Sequence, residues 1–283
     1  IVALHAAGAA GMNDAGNSIA TIVTTKVLSP FTAVLWAAFW NFAAAFFFDV
    51  EVAKTVGKGI VDPMYLTPFV IVIGMFVAVI WVFSSTYIGI PISATHALVG
   101  GLIGAAAAYA GIEVIILPSA GTIIGLFMFA AIGAGIGMTA SYYIGRITKD
   151  EEFLPVLITG AVFGAVLSVP FVIISGLLKI SGMFAIIVFI VLSPLLGFII
   201  TYIFSLLFIR RFRNTDAKRM NFWSKKMQVF SAAFYSIGHG SNDAQNGMGI
   251  ITAVLVAGGL LTEFIVPVWV ILLSCSAIAL GTL

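Results

Sequence analysis

The 283 residues are 61% hydrophobic and 8% charged, with a mean hydropathy of +1.18, far from soluble globular usage. Net charge is +2 and Cys275 is the single cysteine, which excludes an intrachain disulfide framework and a thiolate metal cluster; no nucleic-acid partner is expected. The composition is that of an all-α, polytopic membrane protein. At about 20 residues per crossing, apolar windows fall at 1–28, 30–48, 64–88, 91–111, 114–145, 153–178, 182–209, 227–258 and 264–283, which predicts a multi-pass protein of the cell membrane.

The first window contains Gly11-Met12-Asn13-Asp14-Ala15-Gly16-Asn17. An aspartate at bilayer depth costs a few kcal/mol even on lenient scales, and it persists only if paired, protonated or bound to a cation. No Arg or Lys lies within one helical turn of Asp14; Lys26 is three turns away. In a helix Asn13 and Asn17 share a face and Asp14 sits about 100° around it, so convergence of the three predicts a local unwinding, which Gly8, Gly11 and Gly16 would permit. The freed carbonyls, the amide oxygens and one carboxylate would form a hard oxygen site suited to Na⁺. The blander alternative is hydrogen bonding between helices.

Glu51, Lys54, Lys58 and Asp62 then form a mixed-charge connection, expected to be a solvated loop; Lys58 and Asp62 are weak candidates for a pathway entrance. Next comes Tyr87-Ile88-Gly89-Ile90-Pro91-Ile92-Ser93-Ala94-Thr95-His96. Pro91 lacks an N–H and Gly89 frees the chain, so one helix should end near 88 and another begin near 93, as a broken helix or re-entrant hairpin. Ser93 and Thr95 suit the first turn of the second helix, where unpaired N–H groups and the dipole favour an anion. Gly100, Gly101 and Gly104 are expected to let helices approach closely.

Seven of the thirteen basic residues, Arg210, Arg211, Arg213, Lys218, Arg219, Lys225 and Lys226, cluster at 210–226. The positive-inside rule makes this loop cytoplasmic, on the same side as Arg146-Ile147-Thr148-Lys149-Asp150-Glu151-Glu152 if 153–178 and 182–209 each span once; anionic lipid binding is its second reading. After it, the polar sentence returns as Gly240-Ser241-Asn242-Asp243-Ala244-Gln245-Asn246, with Asp243 229 residues beyond Asp14. Repetition in two apolar settings favours a duplicated ion site. His5 and His239 precede the copies at unequal spacing and are read first as helix-interface residues.

With these motifs in view, the chain resembles the inorganic phosphate transporter (PiT) family of cation-coupled symporters. The resemblance rests on Gly11 to Asn17, Lys54-Thr55-Val56-Gly57-Lys58-Gly59-Ile60-Val61-Asp62, Gly89 to His96, and His239 to Gln245, and it covers essentially the whole chain. It implies inverted repeats with broken helices and re-entrant hairpins: a first repeat at 1–145, central helices with the basic loop at 146–226, and the start of a second repeat at 227–283. It also implies cation ligation by Asn13, Asp14, Asn17, Asn242, Asp243 and Asn246. Phosphate would be held by Ser93, Thr95 and the backbone N–H of Ala94, where the family often has a hydroxyl, together with Asp14 and Asp243. His96, Gln245 and Ser241 are accessory candidates. The counterpart of the first hairpin would fall beyond Leu283.

Charge balance points the same way without the resemblance. Two ionised aspartates and a phosphate would place about −3 to −4 in a low-dielectric site, so cations must enter with the anion. The expectation is sodium-coupled phosphate symport with Na⁺ as the only metal and no resident cofactor. Proton coupling, a metal-phosphate or sulfate substrate, and a cation channel are the alternatives, and assembly as a homo-oligomer is left open. An intramembrane aspartyl protease is disfavoured, since carboxylates sharing a proton need no Asn at −1 and +3; the chain is not expected to be an enzyme.

Overall fold

The computed structural model describes residues 1–47, 53, 61, 63–148, 153–180 and 182–283. Among these, nine α-helices follow one another: α1 Val2–Thr24, α2 Pro30–Ala43, α3 Pro68–Ile88, α4 Ala94–Ala110, α5 Ala120–Thr148, α6 Phe153–Ile174, α7 Gly182–Phe212, α8 Ala217–Ala257 and α9 Val268–Thr282. No strand occurs among the described residues; Val61 and Ile115 form an isolated bridge. The expected all-α class and the apolar windows are both found, and four helices are long and apolar enough to cross a membrane.

Local chemistry explains the boundaries. Ser29 and Thr67 each precede a proline and accept a hydrogen bond from a backbone N–H three residues on, Thr32 and Val70 respectively, both at 3.3 Å. A hydroxyl cap followed by Pro at the first helical position satisfies one orphan donor and removes another. Gly89 ends α3 in the left-handed region at φ 79°, where an L side chain would be strained. Ser93 caps α4 by accepting from His96 N at 3.3 Å. The predicted break between 88 and 93 is therefore present.

One expected loop is mostly helix. The basic segment 210–226 contains the end of α7 and the first turns of α8, leaving only 213–216 between them. Asp216 starts α8, its Oδ2 accepting from Lys218 N at 3.0 Å and Arg219 N at 3.2 Å. Lysine and arginine are good helix formers, and hydropathy reports solvation, not backbone conformation. With 41 residues, α8 is about 60 Å long, twice a bilayer core, so its charged start extends beyond the apolar zone.

The helices form two compact units. One comprises residues 1–116 and 215–283 and holds α1–α4, α8 and α9. Its interior is built from small residues, such as Ala3, Ala7, Ala9 and Ala10 of α1 and Ala232 and Ala244 of α8, with Ile71, Val270 and Ile278 filling between them. The other, residues 117–214, holds α5–α7. There α5 and α6 pack backbone to backbone: a Cβ on Gly133 or Gly137 would collide with the Gly164 and Gly160 carbonyls, and Ser168 Oγ donates to Phe129 O at 3.1 Å. Phe127, Ile136, Phe171, Phe198 and Phe204 face outward, as lipid-facing surfaces do.

Candidate functional site

Both polar motifs lie in the first unit, on unbroken helices. The predicted unwinding is absent: α1 and α8 run as regular α-helix through Gly11–Asn17 and Gly240–Asn246. Their carbonyls stay in the helical ladder, so side chains must supply any ligands. Several motif glycines serve close packing instead. A Cβ on Gly11 would strike Ile278 of α9, one on Gly240 the backbone of Asn41 in α2, and one on Gly249 the backbone of Ala53. Gly16 and Gly238 have no such neighbour. Gly101 packs on Gly74 of α3 as expected for close approach, while Gly100 and Gly104 face open space.

The first motif converges through its side chains. Asn13 Nδ2 and Asn17 Nδ2 both donate to Asp14 Oδ1, at 3.1 and 3.0 Å. The flexible amide arms close the angular gap that the backbone was expected to close. Asn13 also joins the hairpin: its Nδ2 donates to Ile92 O at 3.2 Å and its Oδ1 accepts from Thr86 Oγ1 at 2.9 Å. With Oδ1 holding two donors, Asp14 turns Oδ2 toward α8.

There it meets His239, whose Nε2 lies 3.4 Å from Asp14 Oδ2 and 3.6 Å from Asp243 Oδ2. The histidine side chain is 8% exposed and the carboxylates 18% and 16%, so all three are largely withdrawn from solvent. His239 is one helical turn before Asp243, so its place beside that carboxylate was legible in the i, i+4 spacing. Its contact with Asp14, across 225 residues of sequence, was not. Reading it as an interface residue missed this. Lys26 does not serve as a partner: it lies past the end of α1, exposed, at φ 55°.

The second motif reaches the hairpin between α3 and α4. Asn246 Nδ2 donates to Thr95 Oγ1 at 2.9 Å, and Thr95, Ala94, Asp243 and Asn246 border one cleft. Ala94 and Asn246 are buried, Thr95 is half-buried, and Ser93 and His96 are exposed. Asn242 and Asn17 are exposed at the motif edges. Ser241 is buried, and so is Gln245, whose Oε1 accepts from Ala53 N at 3.2 Å. His5 is exposed and bonds back to Ile1 O at 3.1 Å, away from the motif carboxylates. Glu51, Lys54, Lys58 and Asp62, and Lys149 to Glu152, lie outside the described residues.

Two carboxylates on different helices have an imidazole between them, and one of them, Asp243, borders the same cleft as Thr95 of the α4 start. Residues 10–158 and 209–283 match the model of the phosphate transporter family. The chain belongs to the phosphate transporter family. It is 36% identical over 274 residues to a protein of Rhizobium meliloti (strain 1021) named "Probable low-affinity inorganic phosphate transporter", covering 96% of this chain and 63% of that one. A protein of the same name from Bacillus subtilis (strain 168) is 31% identical over 275 residues, with the same coverage. The chain thus spans less than two thirds of these relatives' length. A solved structure titled "The sodium-dependent phosphate transporter" aligns with a TM-score of 0.60 at 22% identity, covering 99% of this chain and 73% of that one; this likeness supports the fold. These relatives are transporters and not enzymes.

Proposed function

We propose that this phosphate transporter family member carries inorganic phosphate across the cell membrane by symport with Na⁺. The observation that carries the reading is the meeting of Asp14 and Asp243, one from each copy of the motif, beside the cleft where Asn246 holds Thr95. Two largely desolvated carboxylates repel an incoming phosphate unless cations enter with it. Na⁺ is a hard cation that takes oxygen ligands, and Asp14 Oδ2, Asp243 and the amides of Asn17, Asn242 and Asn246 offer them. With the carboxylates neutralised, Ser93, Thr95 and the first N–H groups of α4 are left to hold phosphate. The solved relative's title names sodium dependence, in line with this coupling.

The role of each residue follows from its place. Asn13 and Asn17 fix the Asp14 rotamer, Asp14 and Asp243 bind the cations, and Asn246 keeps Thr95 turned to the cleft. In the proposed repeat organisation, residues 1–145 form the first repeat and 227–283 the start of the second, with the 210–226 segment on the cytoplasmic side.

Radiolabelled phosphate uptake into proteoliposomes, driven by an inward Na⁺ gradient and compared with an equal K⁺ gradient, tests the reading. Uptake that follows Na⁺ and is lost in Asp14→Asn supports it. Uptake driven by a proton gradient alone would move the coupling to protons, and uptake under neither gradient would overturn the phosphate assignment.

A further inference from the structure

The imidazole between the two aspartates has a tautomer that the surrounding hydrogen bonds settle. Thr282 Oγ1 spends its single proton on Ile278 O at 2.9 Å, so toward Asn41 it can only accept, and Asn41 Nδ2 donates to it at 2.9 Å. Asn41 therefore turns Oδ1 to His239 Nδ1, 3.1 Å away, and that nitrogen carries the hydrogen. In the neutral ring Nε2 then presents a bare lone pair to two carboxylate oxygens. The arrangement is repulsive without a positive centre between them, and Nε2 has no hydrogen-bond partner although it is buried.

Distance bears on the two positive centres that could serve. A proton held in a single charge-assisted bond draws N and O to about 2.7–2.9 Å, whereas here two acceptors lie at similar, longer distances. A tetrahedral metal with bonds of about 2.0–2.2 Å to nitrogen and oxygen holds its ligand atoms about 3.4 Å apart, the edge of such a tetrahedron. The observed 3.4 and 3.6 Å match the metal edge. Oxygens of Asp14 and Asp243 with a ring nitrogen of His239 all lie within 4.8 Å of one another, so a small carboxylate rotation completes the triangle. The Nδ1–H to Asn41 bond is the outer contact by which metal-binding histidines are oriented.

We propose that Asp14, His239 and Asp243 form a site for one divalent transition cation of the Zn²⁺ or Co²⁺ class, with the fourth position left for an exogenous ligand. Imidazole nitrogen selects such ions over Na⁺, a hard cation that prefers oxygen. The ion joins α1 to α8 and occupies carboxylate oxygens that the symport reading, on which this consequence rests, assigns to Na⁺. Na⁺, drawn to the same oxygens, should displace it.

The test uses the protein in lipid nanodiscs with H5Q and H96Q, which leaves His239 the sole imidazole of three. One Co²⁺ per chain should bind with the visible absorption of a tetrahedral ion. Binding should be abolished in H239Q, weakened about 10–100-fold in N41A, and reversed by Na⁺. X-ray absorption of the Zn²⁺-loaded chain should show one imidazole with oxygens at about 2.0–2.2 Å; this readout decides the matter even if H239Q fails to fold. Absence of stoichiometric binding, binding unchanged in H239Q, or a Zn²⁺ shell lacking imidazole would overturn the site. None of these readouts involves phosphate, so failure of the metal site and failure of symport remain separate results.

Discussion

Asn246 of α8 donates a hydrogen bond of 2.9 Å to Thr95 in the first turn of α4, joining the second polar motif to the hairpin that ends the first half of the site. The bond orients a hydroxyl that the proposed function assigns to phosphate. Asn13 makes the corresponding link from the first motif, to Ile92 O and Thr86. Each motif thus both carries a carboxylate and holds the hairpin.

Thr95→Val is isosteric and removes only the hydroxyl. The expected outcome is a fall in phosphate uptake of at least tenfold, with stability lowered by about 1–3 kcal/mol, the cost of leaving the buried Asn246 amide without its acceptor. Asn246→Ala should match it in uptake. Thr95→Ser, which keeps the donor, should retain transport. Initial-rate uptake in proteoliposomes and unfolding monitored by dye binding check both halves.

Asp14→Asn keeps shape and loses charge. If Asp14 neutralises by binding Na⁺, the variant should lose Na⁺ stimulation of uptake by at least tenfold while remaining folded, because the amide still accepts from Asn13 and Asn17. Na⁺ titration of uptake in the variant measures this, and unchanged Na⁺ dependence would refute the assignment.

Gly240→Ala should destabilise without touching the charged groups. The added Cβ would collide with the Asn41 backbone, forcing α2 and α8 apart at a cost of about 1–3 kcal/mol. Gly16→Ala, at a helical position with no neighbour in the way, should be neutral or slightly stabilising, by up to about 1 kcal/mol. Melting temperatures of the purified variants compare them.

Ser93→Ala removes the cap of α4. Loss of the acceptor for His96 N should cost about 1 kcal/mol, and Ser93→Gly only a few tenths. Uptake should fall in both, since both lack the hydroxyl proposed to donate to phosphate. Parity of uptake with the wild type in either variant would remove Ser93 from the phosphate set.

Hydropathy and spacing made the membrane class, the helix windows and the break at Gly89–Ser93 legible, because these depend on local properties: apolar length against bilayer thickness, a proline without N–H, a hydroxyl that can cap. The duplicated Asn-Asp motif was legible for the same reason, as chemistry repeated in an apolar setting. Three features required the tertiary structure. The helices stay intact through Gly11–Asn17 and Gly240–Asn246 because those glycines are used for contact with Ile278 and Asn41 and side-chain amides close on Asp14. The basic segment is helical because conformation follows propensity and capping, which hydropathy does not report. His239 acquires its partners Asp14 and Asn41 by the packing of α1 and α2 on α8, a contact between residues hundreds of positions apart that no local pattern encodes.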